Sequence, residues 1–185
     1  MKVCVQSKRG QKKWIPFGRR VMDNKNLRGQ LIYLQELDES FFSDYMSAFS
    51  PRVRKALRVK HKMSELEYLR KRLEKQKEGK TIFFCIFDNA TDRLIGALEI
   101  RSQEETGSQL YSWLHEDFWA TGRYQEALRI ASQEYFRRTN ELFFYAHVDA
   151  GNKRSYRALK KNGFSDIGTH SGPYGRQYQL ILRKK

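Results

Sequence analysis

Three strand-like segments follow one another with no helix between them, after which the chain alternates helix and strand to its end. Thr81-Ile82-Phe83-Phe84-Cys85-Ile86-Phe87 is β-branched and aromatic, Asp88-Asn89-Ala90-Thr91-Asp92 is turn chemistry, and Leu94-Ile95-Gly96-Ala97-Leu98-Glu99-Ile100 resumes the apolar pattern. The pair predicts a hairpin. A third strand is expected over 109–114, then a helix beginning near Gly122 with Tyr124, Ala127, Leu128, Ala131 and Tyr135 on one face. Leu142-Phe143-Phe144-Tyr145-Ala146-His147-Val148 predicts the next strand, followed by a helix over 152–162 and a last strand over 178–182. Hairpins make antiparallel neighbours, whereas a strand–helix–strand crossing brings its second strand back parallel. The chain is therefore expected to form an α/β domain around a mixed sheet.

Upstream, Leu31-Ile32-Tyr33-Leu34 reads as a strand, and Asp38 is placed to cap a helix carrying Phe41, Phe42, Tyr45 and Met46. Ser64 and Glu67 form a capping box, with Met63 set to staple onto Tyr68 and with Leu66, Leu69 and Leu73 continuing the stripe. At 185 residues, 39% hydrophobic and 14% aromatic, the chain can bury one core. Residues 27–185 are expected to be that domain, and 1–26 a basic N-terminal extension.

Lys and Arg number 36 against 21 acids, a formal charge of +15 that favours an anionic ligand or partner. The excess is regional: residues 1–30 carry nine cations against one acid and residues 51–80 twelve against four, while the remainder nearly cancels. Segments 1–30 and 51–80 are thus candidate docking surfaces for RNA, a ribosome or an acidic partner, or else a basic arm and a solvated helix face. Cys4 and Cys85 are too few for a disulfide framework, and no apolar run approaches the about 18 residues of a membrane span. A soluble, cytoplasmic protein with no membrane contact is expected.

Two motif fragments fail. Gly79-Lys80-Thr81 has the tail of a phosphate-binding loop, but position 74 is Glu and the segment precedes a strand. His115-Glu116 lacks the second histidine of a zinc helix, position 119 being Trp119, and the four histidines make no readable metal site. The informative segment is Trp113-Leu114-His115-Glu116-Asp117-Phe118-Trp119-Ala120-Thr121-Gly122-Arg123-Tyr124-Gln125-Glu126-Ala127, where a strand passes through a short loop into a helix. The first N–H groups of a helix have no internal partner and suit an anion, and Gly122 lets backbone come close. An ordinary cap, Thr121 at N-cap and Gly122 at N1, gives the same pattern.

A second segment, Asn152-Lys153-Arg154-Ser155-Tyr156-Arg157-Ala158-Leu159-Lys160-Lys161-Asn162-Gly163-Phe164, has a capping Asn, inward Ala158 and Leu159, and a left-handed Asn162-Gly163 end over which Phe164 packs. Together the two segments read W-x-x-G-x-x-x-E-A, a strand, then N-x-x-S-x-x-x-L-x-K-x-G-F. In that order and separation the chain resembles the GNAT N-acetyltransferase superfamily, and within it the branch containing the ribosomal-protein-alanine N-acetyltransferases. The likeness runs over 29–183 and is strongest over 94–164.

The resemblance implies a single-domain acyl-CoA N-acyltransferase (GNAT) fold in which the two middle strands splay after Leu114 and admit acetyl-CoA. It implies that the pantetheine arm pairs with backbone at Trp113, Leu114 and His115. The diphosphate would lie on the amides of Thr121, Gly122, Arg123, Tyr124 and Gln125, with Asn152 and Ser155 beside the thiol. Two departures stand out: the family has Gly or Ala where this chain has Tyr124, and Gly where it has Ala120. A tyrosine that many members use as general acid is Leu159 here, which leaves Ser155 as the matching residue.

Acetyl transfer to an amine needs a base for the ammonium proton and stabilisation of the leaving thiolate. Ser155 is the candidate donor to the thiolate. Glu99, and His115 beside the splay, are the candidate bases, with His147 a lesser one. The function expected is acetyl-CoA-dependent N-acetylation of a primary amine, possibly the N-terminus of a ribosomal or other protein. The alternative is a catalytically degenerate relative that uses its basic surfaces on RNA or a partner protein.

Overall fold

The computed structural model describes residues 5–6, 12–13, 27–58, 64–103, 107–173 and 175–184. Strands β1 (Val5–Gln6) and β2 (Lys12–Lys13) pair with each other; the rest of the expected 1–26 extension lies outside the described residues. Strand β3 (Ile32–Glu36) leads through a 3-10 turn capped by Asp38, which accepts from Ser40 N at 3.0 Å, into helix α1 (Phe42–Ala48). Helix α2 (Pro51–Ala56) follows, with Ser50 as N-cap and Pro at its start. In α3 (Glu65–Lys77) the Ser64 hydroxyl accepts from Glu67 N, while the Glu67 carboxylate pairs with Lys71. The reciprocal half of the capping box is thus not formed, and the Met63 staple lies outside the described residues.

Strands β4 (Thr81–Asp88), β5 (Leu94–Gln103) and β6 (Gly107–Leu114) form the expected antiparallel meander. Helix α4 (Arg123–Arg138), β7 (Phe143–Asp149), α5 (Lys153–Lys161), β8 (Ser165–Gly172) and β9 (Gly175–Arg183) complete the chain. The seven-stranded sheet has the order β3-β4-β5-β6-β7-β9-β8, and only β6 and β7 are parallel. Neither α2 nor β8 was legible in the sequence. The first is six residues long, and the second, Ser-Asp-Ile-Gly-Thr-His-Ser-Gly, is a polar, largely exposed edge strand with no apolar alternation to signal it.

Two apolar layers clothe the sheet. On one face α4 and α5 bury Leu128, Ala131, Tyr135 and Leu159 against Leu98, Leu110, Phe144 and Leu180. On the other, α1–α3 bury Phe42, Tyr45, Val53 and Leu69 against Phe83, Cys85, Ala97 and Trp113. The Trp113 indole donates to the Tyr45 hydroxyl at 2.9 Å. At the end of α5 only Gly163 is left-handed, at φ +86°, whereas Asn162, expected to share that conformation, has φ −91°; the Gly163 N–H bonds Lys160 O, and Phe164 N bonds Leu159 O at 3.2 Å.

The glutamate of the first motif has a structural explanation. Glu126, in the first turn of α4, accepts from the backbone N–H of Gln30, Leu31 and Ile32 at 2.8, 2.8 and 3.1 Å, tying the entry of β3 to the helix. Gly29 lies so close that an added Cβ would stand 2.3 Å from the Glu126 carboxyl carbon. Hydrogen bonds to a charged group contribute roughly 1.5–3 kcal/mol, so Glu126→Ala is expected to lower Tm by about 3–12 °C, and Glu126→Gln by less. Thermal denaturation followed by circular dichroism checks this; equal losses for the two variants would mean that the carboxylate charge contributes nothing.

Candidate functional site

The β6–β7 ladder stops almost as soon as it starts. β6 pairs with β5 through eight positions, out to Gly96↔Leu114, and β7 pairs with β9 from Phe143↔Arg183 to Asp149↔Gln177. Between them only Ser108↔Phe144 and Gln109↔Tyr145 are in register. Past those two pairs the strands diverge, and a cavity of about 430 Å³ lies in the gap. It is walled by Ser112, Trp113 and Leu114 of β6, by Trp119, Ala120, Tyr124 and Gln125 at the start of α4, and by Asn152, Arg154, Ser155, Arg157, Ala158 and Lys161 of α5. Val53, Ala56 and Leu57 close it from the α2 side.

Of the residues expected at the site, Trp113, Leu114, Tyr124, Gln125, Asn152 and Ser155 line this cavity. Asn152 accepts from Ser155 N at 3.1 Å, so its side chain is the N-cap of α5. The Ser155 hydroxyl makes no hydrogen bond to another described residue and stands on the helix face that borders the cavity. The Tyr124 ring is a wall: its hydroxyl lies 2.7 Å from Ser112 Oγ, and burial pushes the phenol up to about 12.

The loop before α4 is held in an anion-compatible shape. Ala120 and Gly122 both have left-handed backbone, φ +62° and +84°, and Gly122 is the N-cap. Helix α4 therefore starts at Arg123, one residue later than expected, and Thr121 is no cap: its hydroxyl donates to Phe118 O at 2.7 Å and closes the loop. The first amide to find a helical acceptor is that of Glu126, 3.1 Å from Gly122 O, which leaves those of residues 123–125 as the helix's outward-facing donors. The Arg123 side chain is committed elsewhere, pairing with Asp88 at 2.7 Å and holding that carboxyl below the usual range against the opposing effect of burial.

Two expected bases are placed away from the cavity wall. Glu99 is 2% exposed, and its carboxylate is held by Arg101 at 2.7 Å, Thr81 at 3.0 Å, Tyr68 at 3.2 Å and Arg72 at 3.5 Å. α3 covers this candidate base and makes it the centre of a buried ion network. His115 caps the turn that follows β6, its Nδ1 accepting from Asp117 N at 3.3 Å, while its own N–H stays on Ile95 O.

Sequence reasoning missed the cations at the mouth. Arg154, Arg157 and Lys161 recur at three- and four-residue spacing on α5, so they share one face with Ser155 and Ala158. That spacing was legible; which way the face points was not. It also missed Trp119, whose indole donates to Leu114 O at 2.8 Å, with the Arg154 guanidinium 3.3 Å and that of Arg52 5.2 Å from its ring centre. Among the described residues no group of three His, Cys, Asp or Glu could hold a metal ion, and no helix is long and apolar enough to cross a membrane.

A profile of the Acetyltransferase (GNAT) domain matches residues 31–165. The chain belongs to the GNAT acetyltransferase family. No curated protein sequence matches it, but solved structures do. The ribosomal-protein-S5-alanine acetyltransferase from Vibrio fischeri superposes with a TM-score of 0.73 at 14% identity, over 84% of this chain and 94% of its own. The Salmonella typhimurium acetyltransferase that modifies the N-terminal serine of ribosomal protein L7/L12 gives 0.74 at 16%, over 85% and 97%. Spermidine N-acetyltransferase from Vibrio cholerae, solved with CoA and spermine, gives 0.71 at 15%, over 84% and 96%. At these identities the likeness is one of fold. It agrees with the mixed sheet and splayed strands that the motifs implied.

The left-handed backbone of Ala120 carries a cost of roughly 1–2 kcal/mol that glycine avoids. Glycine's added chain entropy offsets roughly 0.5–1 kcal/mol of that gain. Ala120→Gly is therefore expected to raise Tm by about 1–4 °C in a thermal melt; a fall would mean that the loop is not strained at this position.

Proposed function

We propose that the protein transfers an acetyl group from acetyl-CoA to a primary amine at the N-terminus of a protein. The observation that carries this is the gap after Gln109↔Tyr145, which leaves the second half of β6, paired with β5 on one edge, without a strand on its β7 side, beside a cavity and next to a helix start. The residues present fit the carrier. The free strand edge at 111–114 suits the amides of a pantetheine arm, the amides at 121–125 suit a diphosphate, and Arg154, Arg157 and Lys161 put positive charge on the same cavity wall. When bound, acetyl-CoA supplies an activated acyl group on a sulfur leaving group. Ser155 holds a hydroxyl proton at the cavity wall for that sulfur, and Tyr124 and Ser112 narrow the cavity between β6 and α4.

The acceptor reading rests on charge. Among the described residues around the cavity and the neighbouring sheet face, Glu99 is engaged by two arginines, Asp149 by Arg58 and Gln177, and Glu116 by Ser50. A polycation such as spermidine finds no cluster of free carboxylates there, and the net charge of +15 repels it. A polypeptide with a single terminal ammonium suits the same surface. Within residues 51–80, Arg54, Lys71, Lys75 and Lys80 pair with acids of the same segment, and Arg72 pairs with Glu99.

Acetyl-CoA at about 100 times its dissociation constant adds roughly 2.7 kcal/mol, which is about 5–11 °C in Tm at this size. A differential scanning measurement showing no rise would end the proposal. Ser155→Ala is expected to lower kcat by at least about tenfold with acetyl-CoA affinity unchanged; an unaltered rate on a serine-terminated peptide would remove Ser155 from the mechanism. Gly122→Val should cost more in acetyl-CoA affinity by calorimetry than in stability, and equal losses would make Gly122 purely structural.

A further inference from the structure

Helices α1 and α3 pack on β5 and β4, and farther along the sheet two buried histidine nitrogens have no partner among the described residues. His147 lies on β7, two residues past the last β6–β7 pair, Gln109↔Tyr145, and its Nδ1 is 3.4 Å from Gln109 Nε2. The Gln109 carbonyl accepts from the Tyr111 hydroxyl at 2.9 Å and from Gln103 Nε2 at 3.1 Å, so the amide's NH2 end is the one that faces the ring. Nδ1 is thereby the acceptor, and the neutral His147 ring carries its proton on Nε2. That Nε2 is buried and bonded to no described residue. His170 reaches across from β8, beyond β9, to bring the two rings to 4.2 Å, and its Nδ1 is also buried and unbonded.

A buried donor and a buried ring nitrogen, side by side and both unsatisfied, are the two partners that one small polar group needs, accepting from the first and donating to the second. They stand at the point where β6 and β7 begin to part. The geometry points to His170 as the base that deprotonates the acceptor amine through one water, with the His147 Nε2–H holding that water in place. One N–H bond of the ammonium breaks, its electron pair stays on nitrogen, the water relays the proton to His170 Nδ1, and the imidazolium releases it to solvent. This rests on the acetyl-transfer reading and adds to it the base that neither Glu99 nor His115 is placed to be.

Facing His147 are Tyr145 and Asp149 from its own strand, Gln109 and Tyr111 from β6, Gln177 and Gln179 from β9, and His170 from β8. Asp149 is paired with Arg58 at 3.2 Å. Burial first, and the charge of His170 second, hold the His147 imidazole below its ordinary range, so His147 remains neutral and a donor at pH 7.

The test combines NMR titration of the histidine ring protons in the full chain with kinetics on a peptide bearing a free N-terminal serine. In the wild-type protein, saturating acetyl-CoA is expected to move the His147 and His170 resonances. In His170→Gln the His147 midpoint should rise, because a like charge is removed. In kinetics, His170→Gln should lose about 100-fold or more in kcat/KM and the acid limb of its pH profile, with acetyl-CoA affinity intact; His147→Asn should lower kcat and keep that limb. Resonances indifferent to acetyl-CoA, or a His170→Gln enzyme with the wild-type acid limb, would overturn the assignment. Failure to bind acetyl-CoA at all would instead defeat the underlying functional reading.

Discussion

A parallel ladder two pairs long governs this molecule. β6 spends its hydrogen bonds on β5, β7 spends its own on β9, and the seam between them closes only at Ser108 and Gln109. Sheets do not leave such a gap without compensation, because backbone groups removed from water need partners. Part of the compensation is visible. The Leu114 carbonyl is taken by the Trp119 indole, and the loop after it closes on itself through Thr121 and the left-handed turns at Ala120 and Gly122. The rest of the β6 edge faces the cavity, where a ligand amide can replace a strand.

What holds the gap open is the attachment of its walls. α4 is tied at one end to β3 through Glu126 and to β4 through Arg123–Asp88, and lies by its apolar stripe along the sheet. At its other end Glu134 bonds both Arg137 and Arg138, and Arg138 also pairs with Glu36. α5 is fixed by Leu159 and Phe164 in the core, and so presents its cationic face to the opening. The two helices and the loop before α4 thus make one side of the cavity, with Ser112, Trp113 and Leu114 of β6 on another.

Strands β3 to β7 and β9, the apolar face of α4 and both ends of α5 were legible in the sequence because each is a local rule: alternation, helical spacing, an Asn cap, a Gly-Phe close. Asn152 and Ser155, to which the resemblance pointed, line the cavity; spacing on one helix fixes which side chains share a face, but not what that face meets. Glu99 shows where this reasoning stops. Its neighbours in sequence say only that it lies on a strand; that α3 covers it and that Arg72, some 27 residues away, reaches its carboxylate is a tertiary fact. The His147–His170 pair, from strands on either side of β9, is another.

The sequence by itself determined the fold class and the family motifs, because hydrogen-bond periodicity and capping act over a few residues. Only the tertiary structure decided how far the two parallel strands run together, which cations border the gap, and which titratable groups are bound and which are left without partners. Those outcomes depend on distances between residues remote in the chain, and burial and charge take their effect from such distances rather than from order along the backbone.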